Sequence, residues 1–180
     1  MKDKKIIVVV SILILVLIVL VVLLINNKGN INTKEENKNY EKDFGSYQIS
    51  SNWIEVEHNN SRYRYVKKSE KGNYQTNNIS IRQLENKYSK KNHMQFKNSI
   101  LSSLAGQNLK DIQDIKASGS TTKNGDILYT FILSGDEGVT TEYCIIGDYK
   151  FILVTEVNLD KSEETDNIAK QIVDSFKWKD

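Results

Sequence analysis

The sequence predicts an α+β domain, an antiparallel β-sheet covered by two amphipathic helices, placed after an N-terminal apolar helix. Three observations carry this. Short stretches of alternating apolar and polar residues are separated by tight-turn signals, as antiparallel strands require. Two other stretches repeat their apolar residues at helical spacing. Ahead of them, residues 6–25 contain a single polar side chain, Ser11.

That apolar run comes first in the chain. As an α-helix it is about 30 Å long, which matches the hydrocarbon core of a bilayer. A helix apolar on every side has no face for water, and the run is long for a buried core helix. A cleaved signal peptide would carry about 7–15 apolar residues and a small-residue cleavage site. This run is longer and leaves through Val22, Leu23, Leu24, Ile25, Asn26 and Asn27, and no cysteine follows closely to take a lipid. The expectation is an uncleaved, single-pass transmembrane helix. Lys2, Lys4 and Lys5 precede it against Asp3, whereas Lys28 and Lys34 follow it ahead of Glu35 and Glu36. Positive flanks stay inside, so residues 1–5 are expected to be a cytoplasmic stub and the rest extracytoplasmic. The Lys-, Asn- and Ile-rich, proline-free composition points to an AT-rich, bacterial genome. In residues 26–43 the only aliphatic side chain is Ile31, so this segment reads as a flexible tether.

The domain is expected over residues 44–180. Tyr47 and Ile49 alternate with polar residues, and Trp53, Ile54 and Val56 follow the turn Ser50-Ser51-Asn52. Residues 62–66 alternate arginine and tyrosine before the aliphatic Val66. After a polar loop, residues 69–77, comes a strand with Ile79, Ile81 and Leu84. Residues 92–107 change period: Phe96, Ile100, Leu101 and Leu104 make one helical face, with Gly106 and Asn108 as a stop. Four strands follow, over residues 109–117, 127–133, 139–146 and 149–157. Asn124-Gly125 and Gly147-Asp148 mark hairpins, and Gly135 to Gly138 reads as a third turn. The last helix opens with Asp160 and Glu163 at capping-box spacing and carries the stripe Ile168, Ile172, Val173 and Phe176. Trp178 closes the domain on a short edge strand.

Two stretches resemble PsbP/Mog/DcrB-like domains. Tyr47-Gln-Ile-Ser-Ser-Asn-Trp53 is similar to the opening of that family, an extended segment, a turn and a tryptophan, although the usual proline before the tryptophan is absent. Ile168-Ala-Lys-Gln-Ile-Val-Asp-Ser-Phe-Lys177 resembles its final helix running into a Ser-Phe strand. The resemblance covers residues 44–180 and implies an α/β/α sandwich around an antiparallel sheet, in a membrane-anchored bacterial member. It implies binding or assembly factors more than catalysts, and it transfers no catalytic residue, because the matched positions are core and turn positions.

Residues able to do chemistry are few. Cys144 is the only cysteine, so no intramolecular disulfide forms; lying within Tyr143-Cys144-Ile145-Ile146, it reads as a core residue. His58 and His93 have no partner at metal-ligand spacing and read as surface residues. The acidic run 160–166 lacks the ligand spacing and glycine of a calcium loop, and helix capping accounts for it. No phosphate-binding loop, nucleophile elbow or paired-carboxylate signature is present. No catalytic residue, metal or cofactor is expected.

Charge distribution rises above background. Residues 61–123 carry 13 Lys/Arg against 4 Asp/Glu, and residues 124–180 carry 5 against 12. Arg62 and Arg64 share one strand face and Tyr63 and Tyr65 the other, so the tyrosines are expected inward and the arginines outward. With Lys67, Lys68, Lys71 and Arg82 they form a candidate basic patch. Such a patch suits anionic lipid head groups, an anionic envelope polymer or an acidic protein surface; merely solvated charge, folded back near the acidic third, is the favoured account. Nucleic acid is not an expected partner, since no recognition motif is present. The sequence thus favours a non-catalytic binding or assembly module tethered to the outer side of a bacterial membrane. An envelope enzyme or small-ligand carrier is the alternative, and it would need a pocket with convergent polar groups. A purely structural spacer is the third reading.

Overall fold

The computed structural model describes residues 36–56, 62–73, 75–106 and 112–179. The expected transmembrane helix, the cytoplasmic stub and most of the tether lie outside the described residues. No described helix is long and apolar enough to cross a membrane.

The end of the expected tether is a strand. Asn37–Lys42 (β1) runs antiparallel to Gly45–Ser50 (β2), with Asn37 opposite Ser50 and Lys42 opposite Gly45. Composition concealed it because Tyr40 is its only apolar side chain, and that ring packs on the core. Backbone pairing needs few apolar side chains. Lys42 adds a contact of its own: its Nζ donates to Glu55 Oε2 at 2.7 Å and lies 3.8 Å from the centre of the Tyr63 ring. On its other side β2 pairs with Lys177–Trp178 (β10), the expected edge strand, and the three make a small sheet of order β1-β2-β10. A Cβ on Gly45 would sit 2.3 Å from the Lys177 carbonyl oxygen, so only glycine lets β10 approach.

The main sheet contains Trp53–Val56 (β3), Tyr63–Lys67 (β4), Asn78–Glu85 (β5), Ile112–Thr121 (β6), Ile127–Gly135 (β7), Gly138–Ile146 (β8) and Lys150–Asn158 (β9). Their order is β3-β4-β5-β9-β8-β7-β6, and every pair is antiparallel. All three expected turns are present: residues 122–126 between β6 and β7, Gly135 opposite Gly138, and residues 147–149 between β8 and β9. In the last turn the left-handed backbone falls on exposed Tyr149, at φ 56°.

Strand β9 sits in the middle of the sheet and is buried on both faces, so Phe151 to Val154 reads as an unbroken apolar run. Ile152 and Val154 enter one core with Ile79, Ile81, Tyr65, Trp53 and the small sheet; Phe151 and Leu153 enter the other with Phe131, Leu133 and Cys144. Helix α1 (His93–Gly106) adds Phe96 and Leu104 to the second core. Helix α2 (Glu163–Ser175) adds Ile168, Ala169, Ile172 and Val173 to the first. The architecture is therefore helix, sheet, helix, as expected.

The start of α2 differs from the capping box. Its N-cap is Ser162, and no side chain caps the first turn. Asp160 lies two residues further out, where its Oδ1 accepts from the Ser162 backbone N–H at 3.1 Å and from Asn77 Nδ2 at 2.6 Å. Asn77 also donates to Thr165 Oγ1 and accepts from the Leu159 N–H, so a side chain from the β4–β5 loop orders the entry to the helix. Glu163, Glu164 and Asp166 still occupy the first turn, where the helix dipole favours them.

Candidate functional site

The fold divides the six basic candidates. In the β4–β5 register Tyr63 lies opposite Ile81 and Arg64 opposite Ser80. Continuing that register by one residue sets Arg62 opposite Arg82. Successive side chains alternate, so Arg62, Arg64 and Arg82 stand on one face, and Tyr65 fills the core on the other, fully buried. Tyrosines inward and arginines outward is therefore the arrangement found. Arg62 and Arg82 are exposed and Arg64 is half-buried. Partial burial, together with the charges of Arg82 and Arg64, lowers the pKa of the Arg62 guanidinium. Among the described residues, none of the three forms an ion pair. Arg82 is coupled to Glu142 on β8, whose carboxyl pKa is raised by burial, an effect that Arg82 offsets in part.

The lysines do not join this cluster. Lys67 is in phase with the tyrosines and reaches α2, where its Nζ lies 2.6 Å from Glu164 Oε2. Lys68 begins the 3-10 turn Lys68–Glu70 and Lys71 follows it; both are exposed. The sequence grouped all six by proximity along the chain. Strand alternation and the turn that ends β4 send the lysines elsewhere.

A second feature went unseen in the sequence. A cleft of about 500 Å³ lies between α2 and strands β6, β7 and β8. Leu128, Ile132 and Val139 give it an apolar floor; Thr141, Tyr143, Asn158 and Asp166 give polar walls. Beside these walls is Glu156, only 1% exposed. Its Oε2 accepts from the Tyr143 hydroxyl at 3.2 Å, and its Oε1 has no donor, while the carboxyl group hydrogen-bonds Asp166. Burial first, then the neighbouring Asp166 carboxylate, push the Glu156 pKa up to about 8. The Tyr143 phenol is shifted upward as well, by burial and then by Glu156. Asp166 is fixed by Asn158 Nδ2 at 2.7 Å. The group can therefore hold a proton near neutral pH and offer it, or a carboxylate, close to the cleft. A signal was present in the sequence: Glu156 is in phase with Ile152 and Val154, so strand periodicity directs a carboxyl to the core.

The remaining candidates are structural. Cys144 is 1% exposed, and burial raises its thiol pKa, which keeps it protonated and unreactive. His93 is half-buried; its Nδ1 lies 2.6 Å from the Tyr129 hydroxyl. His58 lies outside the described residues. Among the described residues no group of three His, Cys, Asp or Glu is placed to hold a metal ion.

The fold can be compared with known structures. The chain is similar to cyanobacterial PsbP (CyanoP) from Synechocystis, solved in solution, with a TM-score of 0.51 and 14% sequence identity over 83% of this chain and 96% of that one. A crystal structure from Bacteroides thetaiotaomicron gives a TM-score of 0.42 and 10% identity over 76% of this chain and 45% of that one. No family model matches the sequence, and no curated protein matches it. At 14% identity the likeness to CyanoP is one of fold. The domain is PsbP-like, as the motifs at its two ends implied.

Proposed function

We propose that this PsbP-like domain is a non-catalytic binding or assembly module, tethered by residues 6–25 to the outer side of a bacterial membrane, whose contact surface is the arginine face of β4 and β5. The carrying observation is the convergence of Arg62, Arg64 and Arg82 on one strand face. Three planar guanidinium groups present forked donors suited to carboxylates or phosphates on an acidic partner. The apolar run and its basic N-terminal flank support the location. Neither a cofactor nor nucleic acid enters this reading.

The test reverses charge in the full chain, Arg62→Glu, Arg64→Glu and Arg82→Glu together. Photo-crosslinking in intact cells, binding to anionic vesicles and binding to isolated envelope polymer separate the three kinds of partner. The triple variant should lose capture in one of them, and wild-type capture should weaken with added salt. Capture equal to wild type in all three removes the arginine face from the reading. Protection of residues 36–180 from protease added to intact cells would remove the location.

The second reading, a small-ligand carrier, is favoured by the cleft beside Glu156. It predicts a ligand whose binding raises thermal stability and fails in Tyr143→Phe while the fold is retained.

A further inference from the structure

Strand β6 ends the main sheet. It pairs with β7 on one side and, among the described residues, with no strand on the other. Nine of its ten residues are exposed. The only register irregularity lies between Ile112 and Asp114, so the run from Asp114 to Thr121 is regular. An edge of this kind offers alternate N–H and C=O groups to another strand, and proteins usually blunt it with proline, bulges, short length or many charges. The regular run has no proline and two charges, Asp114 and Lys116.

Those two charges are arranged to suit a particular neighbour. They point to one face, with Lys116 Nζ 3.3 Å from Asp114 Oδ2. Ile115 points to the other, the face that carries Leu133 and α1, and is 36% exposed. The pattern is its own complement. In an antiparallel pair with its two-fold axis at Ile115, Asp114 lies opposite Lys116 of the second copy and Lys116 opposite Asp114. The four charges alternate around a square, and Ile115 meets itself on the reverse face. Moving the axis one residue either way sets Lys116 against Lys116 or Asp114 against Asp114, which is destabilising.

We propose that β6 is a pairing edge for β6 of a second copy of this chain, antiparallel and centred on Ile115, joining two seven-stranded sheets into one. The contact is a narrow strand-to-strand seam, so the dimer is weak and reversible.

Disulfide trapping in the full, membrane-inserted chain tests it. Cys144 is the only native cysteine and is buried, so Ile115→Cys supplies the reactive thiol. Directly opposed Cα atoms are about 4.5–5.5 Å apart, within disulfide range, and mild oxidation should convert most of the chain to a linked dimer. Ser118→Cys serves as control, because the register holds two copies of residue 118 about 20 Å apart; it should stay monomeric. In the Ile115→Cys background, Asp114→Lys or Lys116→Asp alone should weaken pairing about tenfold, and the two together should restore it. Equal trapping at 115 and 118, no trapping at 115, or a double variant no better than the single ones would overturn the proposal. Both positions are exposed, and circular dichroism of each variant verifies that the comparison is between folded chains.

Discussion

A carboxyl buried as deeply as Glu156 is costly once ionised, because one oxygen has no donor and Asp166 is beside it. Its folded pKa, about 8, lies above the ordinary value of 4.5, so between these values the folded state binds more protons than the unfolded one. Stability contributed by the protonated form is then full below about pH 4.5 and is lost as pH rises towards 8. Urea unfolding should give a stability that falls with pH across this window, by no more than about 1.4 kcal/mol per pH unit. Glu156→Gln should flatten the slope and be the more stable protein at pH 8. A slope unchanged in that variant would assign it to another group. Tyr65 makes a different case. Its hydroxyl meets Tyr47 Oη at 2.7 Å and Glu55 Oε2 at 3.0 Å within the core. Tyr65→Phe should cost about 1–3 kcal/mol in the same measurement. Both tyrosines were legible as inward-facing from period two alone. Their hydroxyl contacts were not, since they join residues of three strands whose pairing no local pattern states.

Among the elements, helices and hairpins were the most legible. The apolar stripe of α2 came out as predicted, and Ile172, fully buried in the first core, is its centre. Ile172→Ala should destabilise by about 2–5 kcal/mol, read as a lowered urea midpoint. The strand β1 and the true cap of α2 were not legible. Strand β1 is held to adjacent β2 by a backbone ladder and shows no apolar pattern beyond Tyr40, and the entry to α2 is held by Asn77, a residue distant in sequence. Turn chemistry succeeds because a tight turn is a local event. For the same reason, only part of the placement of the basic residues was legible. Arginines two residues apart must share a face, but Lys68 and Lys71 depend on where β4 ends. At the small sheet, Gly45→Ala would drive a methyl into the Lys177 carbonyl and should loosen β10, lowering stability by about 2–3 kcal/mol. A thermal midpoint equal to wild type would mean that β10 contributes little.

Over the whole molecule, charge and fold divide differently. The basic segment supplies β4, β5, α1 and β6, and the acidic segment supplies β7, β8, β9 and α2. The sheet interleaves them, with β9, β8 and β7 of the acidic segment between β5 and β6 of the basic one. The folded domain is therefore not a basic half beside an acidic half, and the arginine trio is a local cationic group within it. The helix-sheet-helix plan was legible because two helical stripes and an antiparallel meander leave few ways to cover both faces. The strand order was not, since β5 meets β9 across the chain. The pairing of Ser46 with Lys177 spans most of the domain's length. Closing so long a loop carries an entropic cost that must be met before its few hydrogen bonds form. Trp178 should therefore find its place after the folding transition state, not before it. Trp178→Phe is expected to speed unfolding and leave the folding rate nearly unchanged in stopped-flow measurements. The seam between β2 and the last strand then acts as a latch: it adds little to how fast the domain assembles, and it governs how long the domain stays assembled.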